Sequence, residues 1–313
     1  MPDPLPLVDV TGVGLNATDT LIRLRHFPAL DSKMEILSSD VLPGGQVASA
    51  LVACQSWGLR TRYIGKVGSD AAADLQRADF ARAGVEAHLL AVPDCSSQLA
   101  YILVDQPSGE RTILWKRDSR LQIRPEELRR EWVVRAKALL VDGHDTSAAA
   151  TAARWAREAG LPVVADLDNL YPYVQALLEN VDYLITSRDF PARLTAESDL
   201  TKSLPELHHR FNCRVTGSTL GVEGALAWDG TRFHYAAAFR VNALDTTGAG
   251  DIFHGAFVYA LIQGWPLDRQ LEFSCAAAAL NCTALGARGG IRPLDEIEAL
   301  MRTGPRHPPA FSL

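Results

Sequence analysis

Short apolar runs and longer amphipathic stretches alternate along most of this chain. Residues 8–13 form an apolar run closed by Gly12 and Gly14, which predicts a strand. Residues 48–57 carry apolar positions at helical spacing and stop at Gly58. A short strand over 63–67 and a helix over 71–83 follow, the latter ended by Gly84. Further strands are predicted over 138–142, 163–166 and 183–186, with helices over 146–159 and 172–178 between them. This order is that of βαβ units wound around a parallel sheet with helices on its faces. In such sheets ligands bind beyond the carboxyl ends of the strands.

Two stretches, residues 20–42 and 99–117, break the alternation. The second reads as a hairpin: an apolar run over 100–104, a Pro107-Ser108-Gly109 turn, then a run over 111–115. Both are predicted to form a small sheet standing off the main domain. The chain is therefore expected to be a single domain over 1–303. The tail 304–313, with Pro305, Pro308 and Pro309, cannot extend a helix and is expected to be flexible.

Composition narrows the class. With 313 residues, 47% of them hydrophobic, the chain can bury a large core. A net charge of −6, without a basic run interleaved with aromatics, gives no reason to expect nucleic acid. Five cysteines without CxxC spacing argue against a disulfide framework or a zinc site and fit a reducing, cytoplasmic setting. The N-terminus lacks a signal-peptide pattern. No apolar run approaches the ~20 residues that span a bilayer, so no membrane partner is expected.

The chemistry concentrates in Asp245-Thr246-Thr247-Gly248-Ala249-Gly250-Asp251. Phe253, Ala256, Phe257, Ala260 and Leu261 follow at helical spacing, so a helix begins near the glycines. Glycines there let backbone N–H groups approach an anion, and the helix dipole adds positive potential. A carboxylate one residue further on can accept the proton of an attacking hydroxyl. An isolated Gly-x-Gly-Asp is as readily an ordinary helix start.

The whole string resembles the C-terminal signature of the ribokinase-like, or PfkB, family of carbohydrate kinases. Two further matches come in the family's order. Gly44-Gly45-Gln46-Val47-Ala48 leading to Gly65-Lys66-Val67-Gly68-Ser69-Asp70 is similar to the first signature, and Thr219-Leu220-Gly221-Val222-Glu223-Gly224 to the nucleotide loop. The resemblance spans about residues 8–301. It implies a three-layer α/β sandwich with a mostly parallel central sheet and a small β lid, ATP and Mg²⁺ as cofactors, and a homodimer formed through the lid. By matched position it makes Asp251 the general base and Gly248, Ala249 and Gly250 the anion hole. Asp19 would hold sugar hydroxyls at the end of the first strand, with Gly45 and Gln46 edging the substrate pocket. Ser187, Thr219, Gly221 and Gly224 would line ATP, with Asn281 in the adenine wall. Asp245 and Thr247, with the loop 286–290, would flank a monovalent cation such as K⁺; a merely structural loop is an equal reading.

Departures from the family pattern are informative. Gln46 and Ser49 stand where the family usually has Asn, so the pocket shape must differ. The Asn-x-x-Glu motif falls on Ser187-Arg188-Asp189-Phe190, without its glutamate, so Asp189 or Asp166 would reach Mg²⁺ through water. No Walker A motif is present. Asp-Thr-Thr-Gly-Ala-Gly-Asp with Phe253-His254-Gly255-Ala256 is similar to the sulfofructose-kinase branch, where Lys33 would match a basic lid residue. Trp115 and His144 stand where that branch would have Asn and Arg. His144 and Asp145, past a strand's carboxyl end, could reach a substrate, though a solvated loop pair is the plainer reading; His254, one turn after Asp251, could touch the site, though a packed helix histidine is plainer; His208-His209 read as a solvated helix face. Lys33, Lys116 and Arg117, if inward, would favour an anionic acceptor; exposed lid charge is the plainer reading.

The resulting expectation is ATP-dependent phosphorylation of a hydroxyl on a sugar or sugar derivative: a ketose, a sugar acid or a sulfosugar. Two rivals remain. A nucleoside kinase on the same scaffold would stack a base on Trp115, Tyr101 or Phe27. A non-catalytic sugar-binding regulator would have less need of Asp251 and its glycines.

Overall fold

The computed structural model describes residues 5–311. Thirteen strands occur among them: β1 (Val10–Val13), β2 (Ala17–Leu24), β3 (Ser38–Gly44), β4 (Thr61–Val67), β5 (Glu86–Ala91), β6 (Leu99–Asp105), β7 (Arg111–Lys116), β8 (Ala138–Asp142), β9 (Val163–Leu167), β10 (Tyr183–Ser187), β11 (Val215–Thr219), β12 (Ala225–Trp228) and β13 (Phe233–Ala236). The helices are α1 (Gln46–Ser56), α2 (Ala71–Ala83), α3 (Arg130–Val134), α4 (Thr146–Glu158), α5 (Val174–Leu178), α6 (Phe190–Thr195), α7 (Leu200–Phe211), α8 (Ala249–Ile262), α9 (Leu267–Asn281) and α10 (Leu294–Thr303).

Nine strands form the central sheet in the order β13-β12-β11-β10-β9-β8-β1-β4-β5. It is parallel from β11 to β5, and β12 and β13 add an antiparallel hairpin at one edge. β8 and β9 are buried at every position, as strands covered on both faces must be. One core packs α1, α8 and α9 on one face through Leu51, Phe257 and Phe273. The other packs α4, α5 and α7 through Ala152, Leu177 and Leu207. The buried stripe Ala148, Ala149, Ala152, Ala153, Ala156 brings α4 close to the sheet. The predicted helix over 71–83 is α2; Asp70 caps it by accepting from Ala73 N, and Gly84 closes it at φ 76°.

The two irregular stretches form a four-stranded sheet, β3-β2-β6-β7. β2 and β6 run parallel, and the outer strands pair antiparallel. Leu21, Ala100, Ile102 and Val104 bury its inner face against Leu285. Its first strand starts at Ala17, three residues before the predicted boundary, so Asp19 lies within β2 and not at the end of β1. As far as residue 311 the tail is not loose. Its backbone pairs with the segment before α8, Arg240 N donating to Pro305 O at 2.8 Å and His307 N to Ala238 O at 2.9 Å. The Arg306 guanidinium covers the Phe239 ring at 4.1 Å and pairs with Glu272. Proline content forbade a helix but not an extended pairing. No helix among the described residues is long and apolar enough to cross a membrane.

Candidate active site

A cavity of about 860 Å³ opens between the carboxyl ends of the central strands and the small sheet. Its size suits two ligands of metabolite scale. The carboxyl ends of β10 and β11 place Ser187 and Thr219 on its wall, and the turns after β8 and β9 add His144 and Asp168.

The floor is the start of α8. Gly248 caps this helix in the left-handed region at φ 75°, and a Cβ there would collide with Ala287 O. A Cβ on Gly250 would point into open space, so the glycine leaves the cavity clear at that point. Asp251 follows in the first turn. Its carboxyl is pushed up to about 6, by burial first; Asp168 and Asp142 add to the rise, and Arg111 and Arg288 oppose it. It keeps some surface open to the cavity. A carboxylate poised near neutrality beside a row of helix-start amides can accept a proton next to a bound anion.

Beneath the floor, His254 is packed as expected. Its ring nitrogens lie 2.7 Å from the Gly250 carbonyl oxygen and 3.1 Å from that of Ile185, and Nδ1 lies 3.3 Å from Asp166 Oδ2. Burial lowers the imidazole and raises Asp166 well above the usual carboxylate range. The histidine thus braces the glycine turn from below.

At the small-sheet end, Asp19, Gly45, Gln46 and Trp115 line the cavity together with Gln98. Asp19 is buried, and its carboxyl rises to about 7, through burial and then Asp251, against the pull of Arg288. Trp115 is 58% exposed and meets His144 edge-on at 6.5 Å; Tyr171 lies 4.9 Å beyond. His144 and Asp145 are not a solvated pair: Arg117 donates to both Asp145 oxygens at 2.8 Å, and His144 faces the cavity. Arg117 is thereby neutralised inside the wall. Lys33 is exposed on the loop between β2 and β3 and does not line the cavity, since no packing holds that loop inward.

At the other end Ser187, Thr219, Gly221 and Gly224 line the wall with Ala278, Ala279 and Phe239. Gly224 sits at φ 95°, where a Cβ would strike Ala236 O. Asn281 is not part of that wall. It is fully buried, and Nδ2 donates to Thr247 O at 3.2 Å and Ala287 O at 3.1 Å while Oδ1 accepts from Gly290 N at 3.2 Å. An amide with that inventory staples two loops together. Asp245 is likewise engaged, accepting from Thr247 N and Gly286 N, each at 2.8 Å. Thr247 Oγ1 is buried without a partner. Among the described residues no group of three or more His, Cys, Asp or Glu is placed to hold a metal.

Several wall residues carried no legible signal in the sequence. Arg111, on β7, reaches Thr246 beside the glycine turn. Asp168, Tyr171 and Gln98 come from loops. Arg288, behind the wall, sits in the loop 286–290 before α10, which the resemblance places beside a monovalent cation without marking the arginine.

The architecture is a ribokinase-like α/β fold. A crystal structure of an Agrobacterium tumefaciens protein superposes with a TM-score of 0.88 at 29% identity, covering 94% of this chain and 97% of that one. Arabidopsis thaliana ribokinase, solved with ribose and ATP, gives 0.79 at 21% identity over 95% and 99%, a likeness of fold. An ATP-dependent ribose-1-phosphate kinase of Halopiger xanaduensis is 28% identical over 286 residues, 90% of this chain and 94% of that protein. The model of the pfkB family of carbohydrate kinases matches residues 18–293, and the chain belongs to that family. It is a phosphotransferase acting on sugars or sugar derivatives.

Proposed function

We propose that the cavity transfers the γ-phosphoryl group of ATP to a hydroxyl of a sugar or sugar derivative bound under the small sheet, with Asp251 as the general base. The observation that carries this reading is one cavity with Asp251 at its floor, Asp19 at one end and Thr219 to Gly224 at the other. The acceptor hydroxyl lies against the Asp251 carboxylate and gives up its proton there as it attacks. The amides of Gly248, Ala249 and Gly250 face the transferring group, and the open space at Gly250 supports that role. Asp19 orients the acceptor by accepting from its hydroxyls, and Arg111 adds positive charge at the phosphoryl end.

Mg²⁺ neutralises phosphate charge when bound, and it commonly takes only one or two carboxylates beside phosphate and water. Asp168, exposed on the cavity wall, and Asp166 behind it fit that need without the missing glutamate. Asp245 and Thr247 would flank a monovalent cation such as K⁺, for which the unpartnered Thr247 hydroxyl is the supporting observation.

The test is transfer of label from γ-labelled ATP to a panel of ketoses, aldoses, sugar acids, sulfosugars and nucleosides. Labelled sugar product is expected, and its absence across the panel with folded protein would sink the reading. The cluster Trp115, His144 and Tyr171 favours a second reading, a nucleoside acceptor stacked on the rings; a labelled nucleotide as the main product selects it. The exposed apolar side chains Val41, Tyr101 and Leu114 of the small sheet support a homodimer through that sheet. Sedimentation at micromolar concentration should give twice the monomer mass.

A further inference from the structure

Arg288 sits in the loop 286–290 with no role assigned to it; its side chain is 8% exposed, and each nitrogen of its guanidinium has a partner. Nη2 donates to Gly44 O at 2.8 Å, Nε donates to Ser49 Oγ at 3.2 Å, and Nη1 pairs with Asp79. The guanidinium carbon stands 5.7 Å from the centre of the Phe80 ring. These partners belong to β3, α1 and α2, and α1 begins at Gln46, which lines the Asp19 end of the cavity.

Gly44 is the critical contact. It pairs with Ala17 across the β2–β3 ladder and lies so close to Asp19 that a Cβ would run into the carboxylate. Holding the Gly44 carbonyl therefore fixes the backbone against which Asp19 rests. The loop that carries Arg288 also touches the small sheet and the floor. Leu285 closes the inner face of the small sheet, Gly286 abuts Leu42, and Ala287 O stands against Gly248. One short loop thus spans the acceptor end and the anion cradle.

We propose that Arg288 is a positioning residue for the acceptor: by holding Gly44 it fixes Asp19 relative to the glycine turn at Asp251, and it places a positive charge near that buried carboxyl. This rests on the reading of Asp19 as the acceptor-holding group. The charged groups bearing on Asp19 are Asp251 and Asp245, which favour its protonation, and Arg288, which opposes them. With its carboxyl at about 7, Asp19 is balanced at working pH, and loss of one cation moves it toward the neutral acid. A neutral Asp19 accepts hydrogen bonds more weakly from sugar hydroxyls.

The experiment compares Arg288→Gln, Arg288→Lys and the double variant Arg288→Gln with Asp79→Asn, which removes the ion pair as a unit. Asp79 also pairs with Arg82, so it keeps a partner in the single variants. Each is measured by steady-state kinetics in both substrates from pH 5.5 to 9. Acceptor KM should rise about tenfold or more in the two Gln variants, while ATP KM stays within about twofold. The pH at which acceptor kcat/KM reaches half its plateau should move up by about one unit, the shift expected from losing one nearby charge. Arg288→Lys, which keeps charge but cannot make all three contacts, should restore the pH midpoint while leaving acceptor KM raised. Parallel rises in both KM values, an unmoved pH midpoint, or failure of all three variants to fold would reduce Arg288 to a stability residue and overturn the proposal. An Asp19→Ala variant with unchanged acceptor KM would instead overturn the reading of Asp19, and the Arg288 proposal with it.

Discussion

The two sheets of this protein are built on opposite terms. β8 and β9 in the central sheet are buried at every position, and helices seal both faces. β7 at the edge of the small sheet is exposed at every position, and only Leu21, Ala100, Ile102 and Val104 give that sheet a core. A helix start packed on strands locked on both sides, as that of α8 is, can hold a carboxylate to a fraction of an ångström, which general-base chemistry demands. A half-covered sheet can shift over a ligand at low cost, and such regions come from the low-stability end of a fold. Chemistry should therefore fail when the central sheet's site is altered, and selectivity when the small sheet is altered.

The largest effect is expected at the central site. Asp251→Asn should lower kcat by ~10²–10⁴ and leave ATP affinity nearly unchanged, because only proton acceptance is lost. More than a tenth of the turnover surviving in kinetic assays would remove Asp251 from the role of base. Gly250→Val comes next. Its Cβ has free space, so thermal unfolding should show a folded protein, yet phosphoryl transfer should fall by ~10² as the side chain stands where the anion binds. At the small sheet, Asp19→Ala should raise acceptor KM by one to two orders of magnitude, since each lost charge-assisted bond costs about 1.5–3 kcal/mol. ATP KM should hardly move; a variant in which ATP suffers and the sugar does not would place the acceptor at the wrong end.

The pH dependence is a gentler probe of the same contrast. Asp251 acts as a base only when ionised, so kcat should fall about tenfold per unit below about pH 6. Asp19 and Asp251 both titrate above the unfolded value near 4, so the folded state binds their protons more tightly than the unfolded chain does. Their contribution to stability is full below about pH 4 and is lost as pH rises through about 6 and then 7. Urea midpoints that climb steadily from pH 5 to 8 in wild type, and equally in Asp19→Asn, would contradict the assignment. The smallest effect is expected at Trp115→Ala, a few-fold change in acceptor KM with kcat intact.

What the sequence disclosed follows the same division. The parallel strands were legible because burial on both faces leaves continuous apolar runs, and Asp251 because helix start, glycines and acid are adjacent in the chain. The small sheet's hairpin was legible from Pro107-Ser108-Gly109, but its start was not. Asp19 belongs to β2 because Ala17 pairs with Gly44 and Thr18 with Leu99, contacts distant in sequence. Asn281 falls where the family places its adenine wall, and only the fold shows that its amide turns toward Thr247 and Gly290 instead. His144 and Asp145 looked solvated because their partners, Tyr171 and Arg117, arrive from other loops. The tail's prolines correctly forbade a helix, but the pairing with Ala238 and Arg240 depends on a strand edge that local sequence cannot reveal.

The most direct test of the division is single-turnover phosphoryl transfer at saturating ATP and acceptor, with wild type, Asp251→Asn and Asp19→Ala in parallel. Saturation removes differences in binding and leaves the chemical step. Asp251→Asn should remain slower than wild type by ~10² or more, while Asp19→Ala should recover to within about tenfold of wild type. The reverse pattern, a fast Asp251→Asn and an Asp19→Ala that no acceptor concentration rescues, would contradict the account at its centre.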